Sequence, residues 1–334
     1  MQIVFLNTFE KVVEESAVVT AQLSICEEQG QWSIHWVEQD GMDEDGATEV
    51  WFEGTSWEEM LTAFRYGAAK MMGTGYRPVI DSMLENRGSG GNPQLTMLHC
   101  YGELYKKEDL FGELRSWRRN AAAQEKKSAY LVATNRMLWM ISAFVPQTEE
   151  ELLQIPGWGK NKLAAYGRDV LAFTTKAERG KGFPLDWVKD ELDPESYKEW
   201  LYKQHENKYR NQMERQQEKK KLLGLLQKPY NLKQLEEEMS LSRRELLIRI
   251  EELEQEGYQA DALVDLELSE VPAEEQQQIW DAMTLIGDRY LKPVIKQVYG
   301  ETETSNESNH VNQLYERVRL MRIRFRRKVA EQAG

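Results

Sequence analysis

A proline and two glycines interrupt a strongly helical pattern near the middle of the chain, and this break limits the folds open to it. Thr148 precedes an acidic segment with a glutamate three positions later, a capping box that predicts a short helix over residues 149–155. Pro156 and Gly157 end that helix, and Gly159 begins the next. The second helix has apolar side chains at helical spacing: Leu163, Tyr166 and Val170. Two short helices joined by a tight turn are therefore expected here.

The preceding segment predicts two more helices that share a core with this pair. One apolar stripe carries Leu110, Leu114, Trp117 and Ala121. After Thr134, a suitable N-cap, a second stripe carries Met137, Leu138, Ile141 and Phe144. Such stripes are typical of four or five short helices packed around one small core.

Residues from about 106 to 176 resemble an HRDC domain, the small helical domain shared by RecQ-type helicases and RNase D. The segment "TEEELLQIPGWGKNKLAAYGRDVL" carries the more specific motifs, since threonine, an acidic helix, Leu-x-x-Ile-Pro-Gly-x-Gly, lysine and Tyr-Gly fall in family order. The first half, "DLFGELRSWRRNAAAQEKKSAYLVATNRMLWMIS", departs at residues 128–132, which lack the usual proline before the second helix. The resemblance implies an auxiliary nucleic-acid-binding domain without catalysis of its own.

The Pro-Gly-Trp-Gly loop has two interpretations. Backbone N–H groups of a Gly-x-Gly turn converge at a helix N-terminus, where they suit a phosphate. The residues expected to make this contact are Gly157, Gly159, Lys160, Lys162 and Arg168. Trp158 would stack on an unpaired base, or its ring would instead close the helical core. The basic face would be extended by Arg118, Arg119, Lys126 and Lys127, or these charges would serve solubility alone.

The first 90 residues predict a small antiparallel sheet with a helix on one face. Alternating apolar residues over 17–25 and 32–36 flank a turn at Gly30, and residues 50–52 add a short strand. The following helix has Trp57, Leu61, Phe64, Ala68 and Met71 at helical spacing. This order loosely resembles the WGR domain of some DNA-repair proteins, although the Trp-Gly-Arg triplet is missing. Residues 1–95 carry 5 basic and 16 acidic side chains, which disfavours phosphate binding and favours contact with a protein such as a helicase or repair enzyme.

Residues 231–258 have the pattern of a helix-turn-helix. Arg243, Arg244 and Arg249 lie where a recognition helix would meet DNA, while glutamates on the same helix oppose that contact. Together with residues 291–295 and 315–319, this region resembles the helix-turn-helix tail of some bacterial RecQ-type helicases. Six arginines and a lysine fall within the twelve residues 317–328: Arg317, Arg319, Arg322, Arg324, Arg326, Arg327 and Lys328. They indicate either a local basic strip or a solvated helix face.

Several classes of protein are disfavoured. No Gly-x-x-x-x-Gly-Lys-Ser/Thr motif is present for an ATP-driven motor, and the acids of the first module are too scattered for a two-metal nuclease. The two cysteines and four histidines show no ligand spacing, so no metal and no cofactor are expected. The N-terminus has no basic leader and no stretch is long enough for a bilayer span. We therefore expect a cytoplasmic protein without membrane contact.

These patterns predict a multidomain, mainly α protein with a small N-terminal α+β domain. The expected modules are an acidic α+β domain (1–90), an HRDC domain (105–178), a helical connector (179–222) and a helix-turn-helix domain (223–334), with a flexible linker at 86–93. The expected function is that of a non-enzymatic accessory protein in DNA repair or recombination, which binds single-stranded or forked DNA through the HRDC domain. Two alternatives stay open. One is a protein-interaction scaffold, which the net charge of −13 favours because it opposes DNA binding. The other is a transcription regulator that uses the helix-turn-helix domain.

Overall fold

The structure, a computed structural model, describes residues 1–13, 17–39, 48–80, 92–300 and 308–333. It divides into two compact units, Met1–Asn211 and Gln212–Gly334. Residues 86–91 of the predicted linker lie outside the described residues. The first unit holds one antiparallel sheet and a set of helices, and the described part of the second unit is helical. The predicted fold class, mainly α with a small N-terminal α+β domain, is confirmed.

Among the described residues, the N-terminal sheet has five strands in the order β4-β3-β2-β1-β5. Their bounds are β1 (Gln2–Val13), β2 (Ala17–Glu28), β3 (Gln31–Gln39), β4 (Thr48–Gly54) and β5 (Arg77–Pro78). The predicted hairpin is β2 with β3, in which Ile25 pairs with Ile34 and Leu23 with Trp36. Gln29 and Gly30 connect these strands with φ of 51° and 81°, the left-handed conformations that a tight hairpin turn requires.

Helix α1 (Trp57–Gly73) covers one face of this sheet. Its N-cap is Ser56, whose side chain accepts a hydrogen bond from the Glu59 N–H. The buried helix residues Met60, Phe64 and Met72 share a core with the inward-facing strand residues. A side chain at Gly67 would clash with the Trp51 ring, because a Cβ there would lie 2.2 Å from the Trp51 Cε3. Close helix–sheet packing therefore fixes a glycine at this position.

Helices of 4 to 33 residues follow the sheet and begin in the first unit. They are α2 (Pro93–Leu104), α3 (Glu108–Gln124), α4 (Ala129–Val132), α5 (Asn135–Phe144), α6 (Glu149–Leu153), α7 (Lys160–Thr174), α8 (Val188–Glu191) and α9 (Pro194–Leu226). The predicted caps are present, since Thr134 accepts a hydrogen bond from the Met137 N–H and Thr148 accepts one from the Glu151 N–H. The predicted apolar stripes of these helices meet in one core that includes Leu114, Leu138, Ile141, Leu152 and Val170.

The second unit is built from α10 (Leu232–Met239), α11 (Arg243–Gln255), α12 (Asp261–Leu268), α13 (Ala273–Ile286), α14 (Leu291–Tyr299) and α15 (Ser308–Ala333), and the end of α9 contributes to it. The helix-turn-helix corresponds to α10 and α11. Each of these helices has a complete capping box, formed by Asn231 with Gln234 and by Ser242 with Glu245. Leu235, Leu246 and Ile250 lie at the centre of the core between them.

The arginines of α15 form neither an open basic strip nor a solvated face. They pair with carboxylates of the preceding helices and turns: Arg317 with Glu275, Arg319 and Arg322 with Glu251, Arg324 with Asp265, Arg326 with Asp288, and Arg327 with Asp261. The Lys328 ammonium lies 5.7 Å from the centroid of the Trp280 ring. Both interpretations of this cluster from the sequence are therefore corrected, because its charges are used to hold the helices of the second unit together.

Candidate nucleic-acid interface

The loop between α6 and α7 has a shape that packing requires. Gly157 has φ of 84°, and a Cβ there would lie 2.4 Å from the Met137 Cε. The Trp158 backbone N–H donates a 2.9 Å hydrogen bond to the Ile155 carbonyl, within the loop itself. Gly159 is the N-cap of α7 but provides no side-chain cap. The loop therefore needs its first glycine for backbone geometry, and one of its N–H groups is already used internally.

Trp158 is a core residue. Its side chain is 1% exposed and belongs to the cluster that α3, α5, α6 and α7 share. The indole Nε1 has no hydrogen-bond acceptor among the described residues. Of the two roles that the sequence allowed, the structure places Trp158 in the core, and a ring this buried has no face open for a base.

Lys162 is tied to the backbone of helix α4. Its Nζ donates hydrogen bonds of 2.6 Å to the carbonyls of both Leu131 and Val132. Burial lowers the pKa of Lys162, and the nearby charge of Lys127 lowers it further. Because a lysine near the end of a helix satisfies its last carbonyls, Lys162 acts here as a positioning residue for α4.

Arg118 has a similar structural role, which corrects the expectation of an outward-facing charge. Its side chain is buried and donates 2.9 Å hydrogen bonds to the Ala133 carbonyl and to the Asn135 Oδ1. Burial, followed by the charges of Arg115 and Arg119, lowers the pKa of Arg118. The signal was present in the sequence, since Arg118 is four residues after Leu114 on the inward stripe. Arg118 and Lys162 thus bond to the carbonyls of three consecutive residues, 131–133, and hold this short turn in place.

The turn that they hold presents an exposed aromatic ring. Tyr130 is 65% exposed and Leu131 is 52% exposed, although both precede fully buried Val132. Lys126 and Lys127 come just before them and are also exposed. We call Lys126, Lys127, Tyr130 and Leu131 the α4 face. Sequence reasoning missed Tyr130, because an apolar Tyr-Leu-Val run resembles a buried strand, whereas one helical turn leaves its first two side chains in solvent.

One lysine of the α4 face is partly neutralised. The Lys127 Nζ lies 2.7 Å from the Glu125 Oε2, which also accepts a 2.9 Å hydrogen bond from the Tyr166 hydroxyl. The hydrogen bond from Lys127, and then that from Tyr166, lower the pKa of Glu125, while Glu125 raises the pKa of Lys127. Both groups therefore stay charged near neutral pH. Of the two lysines, Lys126 is the one whose charge Glu125 does not neutralise.

The remaining predicted basic residues of this domain are spread over two helices. Lys160 is the exposed first residue of α7, and Arg168 is exposed two turns further along the same helix. Eight residues of helix separate their Cα atoms by about 12 Å along the axis. Arg119 is exposed on α3. All three charges are therefore exposed to solvent, one at the start of α7, one further along α7 and one on α3.

The helix-turn-helix has less free positive charge than its sequence indicates. Arg243 is surrounded by three carboxylates, those of Glu236, Glu267 and Glu316. Arg249 pairs with the carboxylates of Glu218 and Glu252, each at 3.4 Å. Arg244 is exposed to solvent. Two of the three predicted DNA contacts on α11 are therefore already occupied by ion pairs within the second unit.

Within the described ranges, no group of three histidine, cysteine, aspartate or glutamate side chains is arranged to hold a metal ion. No helix in those ranges combines the length and the apolar character needed to cross a bilayer.

Comparison with known proteins identifies the central helical module. The family model of the HRDC domain matches residues 107–173. Over 64 residues, the chain is 41% identical to the ATP-dependent DNA helicase UvrD2 of Mycobacterium tuberculosis and to that of Mycobacterium bovis. The match covers 19% of this chain and 9% of each helicase, so the chain spans only a small part of these relatives. No solved structure matches the chain. Residues 107–173, with the Pro-Gly-Trp-Gly loop and the α4 face, are an HRDC domain.

Proposed function

We propose that this protein is a non-enzymatic accessory protein that binds single-stranded or forked DNA through the α4 face of its HRDC domain. The HRDC domain and the similarity to a DNA helicase indicate a nucleic-acid-associated role. The observation that carries the finer proposal is the exposed Tyr130 ring, which follows two exposed lysines in the chain and lies on a turn held in place by Arg118 and Lys162.

The chemistry of this face suits unpaired nucleotides better than a duplex. A base that stacks on an exposed aromatic ring contributes roughly 1–3 kcal/mol, and this contact needs a base outside a base-paired stack. Lys126 and Lys127 precede Tyr130 by four and three residues and are exposed. Lys126, whose charge Glu125 does not neutralise, would contact a phosphate next to the stacked base. Because the net charge of the chain is −13, we expect binding to depend on this local arrangement and to weaken steeply with salt.

We further propose that the acidic N-terminal domain recruits a helicase or repair enzyme. With 5 basic and 16 acidic side chains over residues 1–95, it would repel a phosphate backbone and attract a basic protein surface. The 334-residue sequence has no phosphate-binding motif of a motor, which is consistent with an accessory role in DNA repair or recombination.

A protein-interaction scaffold is the second candidate, and one observation favours it. On α11, the carboxylates around Arg243 and Arg249 leave little positive charge for a DNA groove. In that case the helix-turn-helix would contact a protein, and the HRDC domain would bind no nucleic acid.

Fluorescence anisotropy with labelled single-stranded, forked and fully duplex DNA separates the two candidates. We expect the full chain to bind the first two more tightly than the duplex, and we expect the double variant Tyr130→Ala, Lys126→Glu to bind them more weakly than the wild type does. Lys176→Glu, which makes the same charge change at an exposed position beyond the other end of α7, is the matched control and should bind as the wild type does. The scaffold would be supported, and the DNA proposal overturned, by no binding to any of the three at low salt.

A further inference from the structure

A second exposed aromatic and aliphatic surface lies in the second unit, where α13 ends and α14 begins. Leu285 is 75% exposed and Tyr290 is 62% exposed, and Ile286 between them is also exposed. Their neighbours Met283 and Leu291 are buried in the core of the unit. We call residues 285–292 the α13–α14 turn. Because these exposed side chains are close together in the sequence and not scattered singly, they form a candidate contact surface.

The α13–α14 turn is held in a fixed shape. Gly287 has φ of 83°, and its N–H donates a 2.9 Å hydrogen bond to the Met283 carbonyl. On α15, Arg326 forms an ion pair with the Asp288 carboxylate, and the Arg322 guanidinium lies 3.4 Å from the Asp288 carbonyl oxygen. The exposed side chains are therefore presented by a braced turn, so little conformational freedom is lost when a ligand binds them.

The turn is locally basic within an acidic unit. Residues 212–334 carry 19 basic and 23 acidic side chains, yet the acid of the turn, Asp288, is paired with Arg326. The Arg289 guanidinium lies 5.2 Å from the centroid of the Tyr290 ring, and Lys292, two residues after Tyr290, is exposed. Asp281, one helical turn before Leu285, accepts a 2.9 Å hydrogen bond from Gln277. The turn therefore presents an exposed aromatic ring with a guanidinium near it and an exposed lysine two residues further along the chain.

The shape of the surface distinguishes between an acidic peptide and a nucleic acid. A peptide side chain is held by a concave pocket whose walls are themselves largely buried. Leu285 and Tyr290 are too exposed to serve as such walls. A base needs only one free ring face to stack on, and the Arg289 and Lys292 charges suit the phosphates next to it.

We propose that the α13–α14 turn is a second contact for single-stranded nucleic acid, with Tyr290 as the stacking residue and Arg289 and Lys292 as the phosphate contacts. The inference rests on the proposed function for the class of ligand alone, because its residues lie in the other unit of the protein. It also assigns a role to the C-terminal unit that does not depend on the neutralised arginines of α11.

Photo-cross-linking of the full chain to single-stranded DNA that contains 5-iododeoxyuridine tests this inference. Trypsin would release residues 128–136 and residues 290–296 as separate peptides, each with one tyrosine and no other aromatic residue. We expect DNA adducts on both peptides. An adduct on residues 128–136 alone would overturn this inference and leave the proposed function intact. An adduct on residues 290–296 alone would support this inference and overturn the proposed DNA contact of the α4 face. The absence of adducts on either peptide would overturn both proposals.

A variant pair gives the matched control. Tyr290→Ala should remove the adduct on residues 290–296 and weaken the binding of a 40-nucleotide single strand by roughly 5-fold or more, from the stacking of one base. Tyr258→Ala, at another exposed tyrosine of the same unit, should leave both unchanged. If no adduct forms at the turn, and a peptide of glutamate and leucine binds the wild type but not Tyr290→Ala, the turn belongs to a protein partner and the inference is overturned.

Discussion

Replacement of Trp158 tests whether the tryptophan of the HRDC loop supports the core or meets a base. At 1% exposure its side chain is fully removed from water, and an indole of roughly 200 Å² contributes about 5 kcal/mol at about 25 cal/mol per Å². The unpaired Nε1 offsets roughly 1–2 kcal/mol of this, as a buried donor without an acceptor. We therefore expect Trp158→Ala to destabilise the domain by about 3–4 kcal/mol, within the usual range for buried aromatic residues.

The contrast with phenylalanine sharpens this prediction. Trp158→Phe keeps most of the ring volume and removes the unpaired N–H, so the lost contacts and the relieved donor should cancel to within about 1 kcal/mol. Trp57→Ala, at an exposed tryptophan on α1, is the matched control and should change the stability of the HRDC domain by nothing measurable.

Hydrogen exchange of peptides from α5 and α7 is the suitable assay, because the chain has two compact units and a single unfolding curve would mix them. Exchange in Trp158→Ala should be roughly 100-fold faster or more, since each 1.4 kcal/mol corresponds to a factor of ten. Unchanged exchange together with weakened DNA binding would refute the reasoning and return Trp158 to the interface.

Two further predictions concern carboxylates. Glu251→Ala leaves two arginines of α15 without their buried partner, so urea unfolding should show that the free energy of unfolding of the second unit falls by about 3–5 kcal/mol. The control Glu252→Ala, at an exposed carboxylate, should lower it by less than about 1 kcal/mol. Equal losses in the two variants would contradict the buried pairing. In the HRDC domain, burial opposes the ionisation of Glu151, but the Gln147 N–H and the Arg179 guanidinium outweigh it and hold the pKa of this carboxyl below its usual value. The resulting stabilisation is present above the unfolded-state pKa of about 4.3 and is lost as the pH falls further. The melting temperature of the wild type should therefore fall more than that of Glu151→Gln between pH 7 and pH 3. Parallel curves for the two proteins would show that the Glu151–Arg179 pair contributes nothing to stability.

Local signals in the sequence predicted most of the helices. The capping residues Thr134, Thr148 and Ser242 each bond to the backbone N–H that their position predicts. These signals act within one turn of chain, so no distant contact can hide them. The β2–β3 hairpin was predictable for the same reason, because its two strands are neighbours in the sequence.

Strand β1 was not predicted, although it pairs with the neighbouring strand β2 along most of its length, from Gln2 with Glu27 to Val13 with Ala17. Its first residues form a continuous apolar run without a clear alternation, so the period of two that marks a half-buried strand is missing there. Its second neighbour in the sheet, the two-residue strand β5, lies about 70 residues further along the chain, and the pairing of Phe9 with Pro78 leaves no local signal.

The site residues were harder to predict than the fold, because a charge count does not reveal which charges have partners. Glu251 precedes Arg319 by 68 residues, so the ion pair leaves no mark in the local sequence. Lys162 and Arg118 were expected at the surface of the HRDC domain, but both are bonded to carbonyls around α4. Tyr130 became a candidate only when its exposure was known.

The salt dependence of single-stranded DNA binding tests the central claim, that the α4 face contacts nucleic acid. For a labelled 20-nucleotide oligothymidine between 50 and 200 mM salt, Tyr130→Ala should weaken binding by roughly 5- to 150-fold at every salt concentration and leave the slope of log K against log salt unchanged. Lys126→Gln should reduce that slope by about 0.7, as one lost phosphate contact predicts. Affinities and slopes equal to those of the wild type in both variants would contradict the claim.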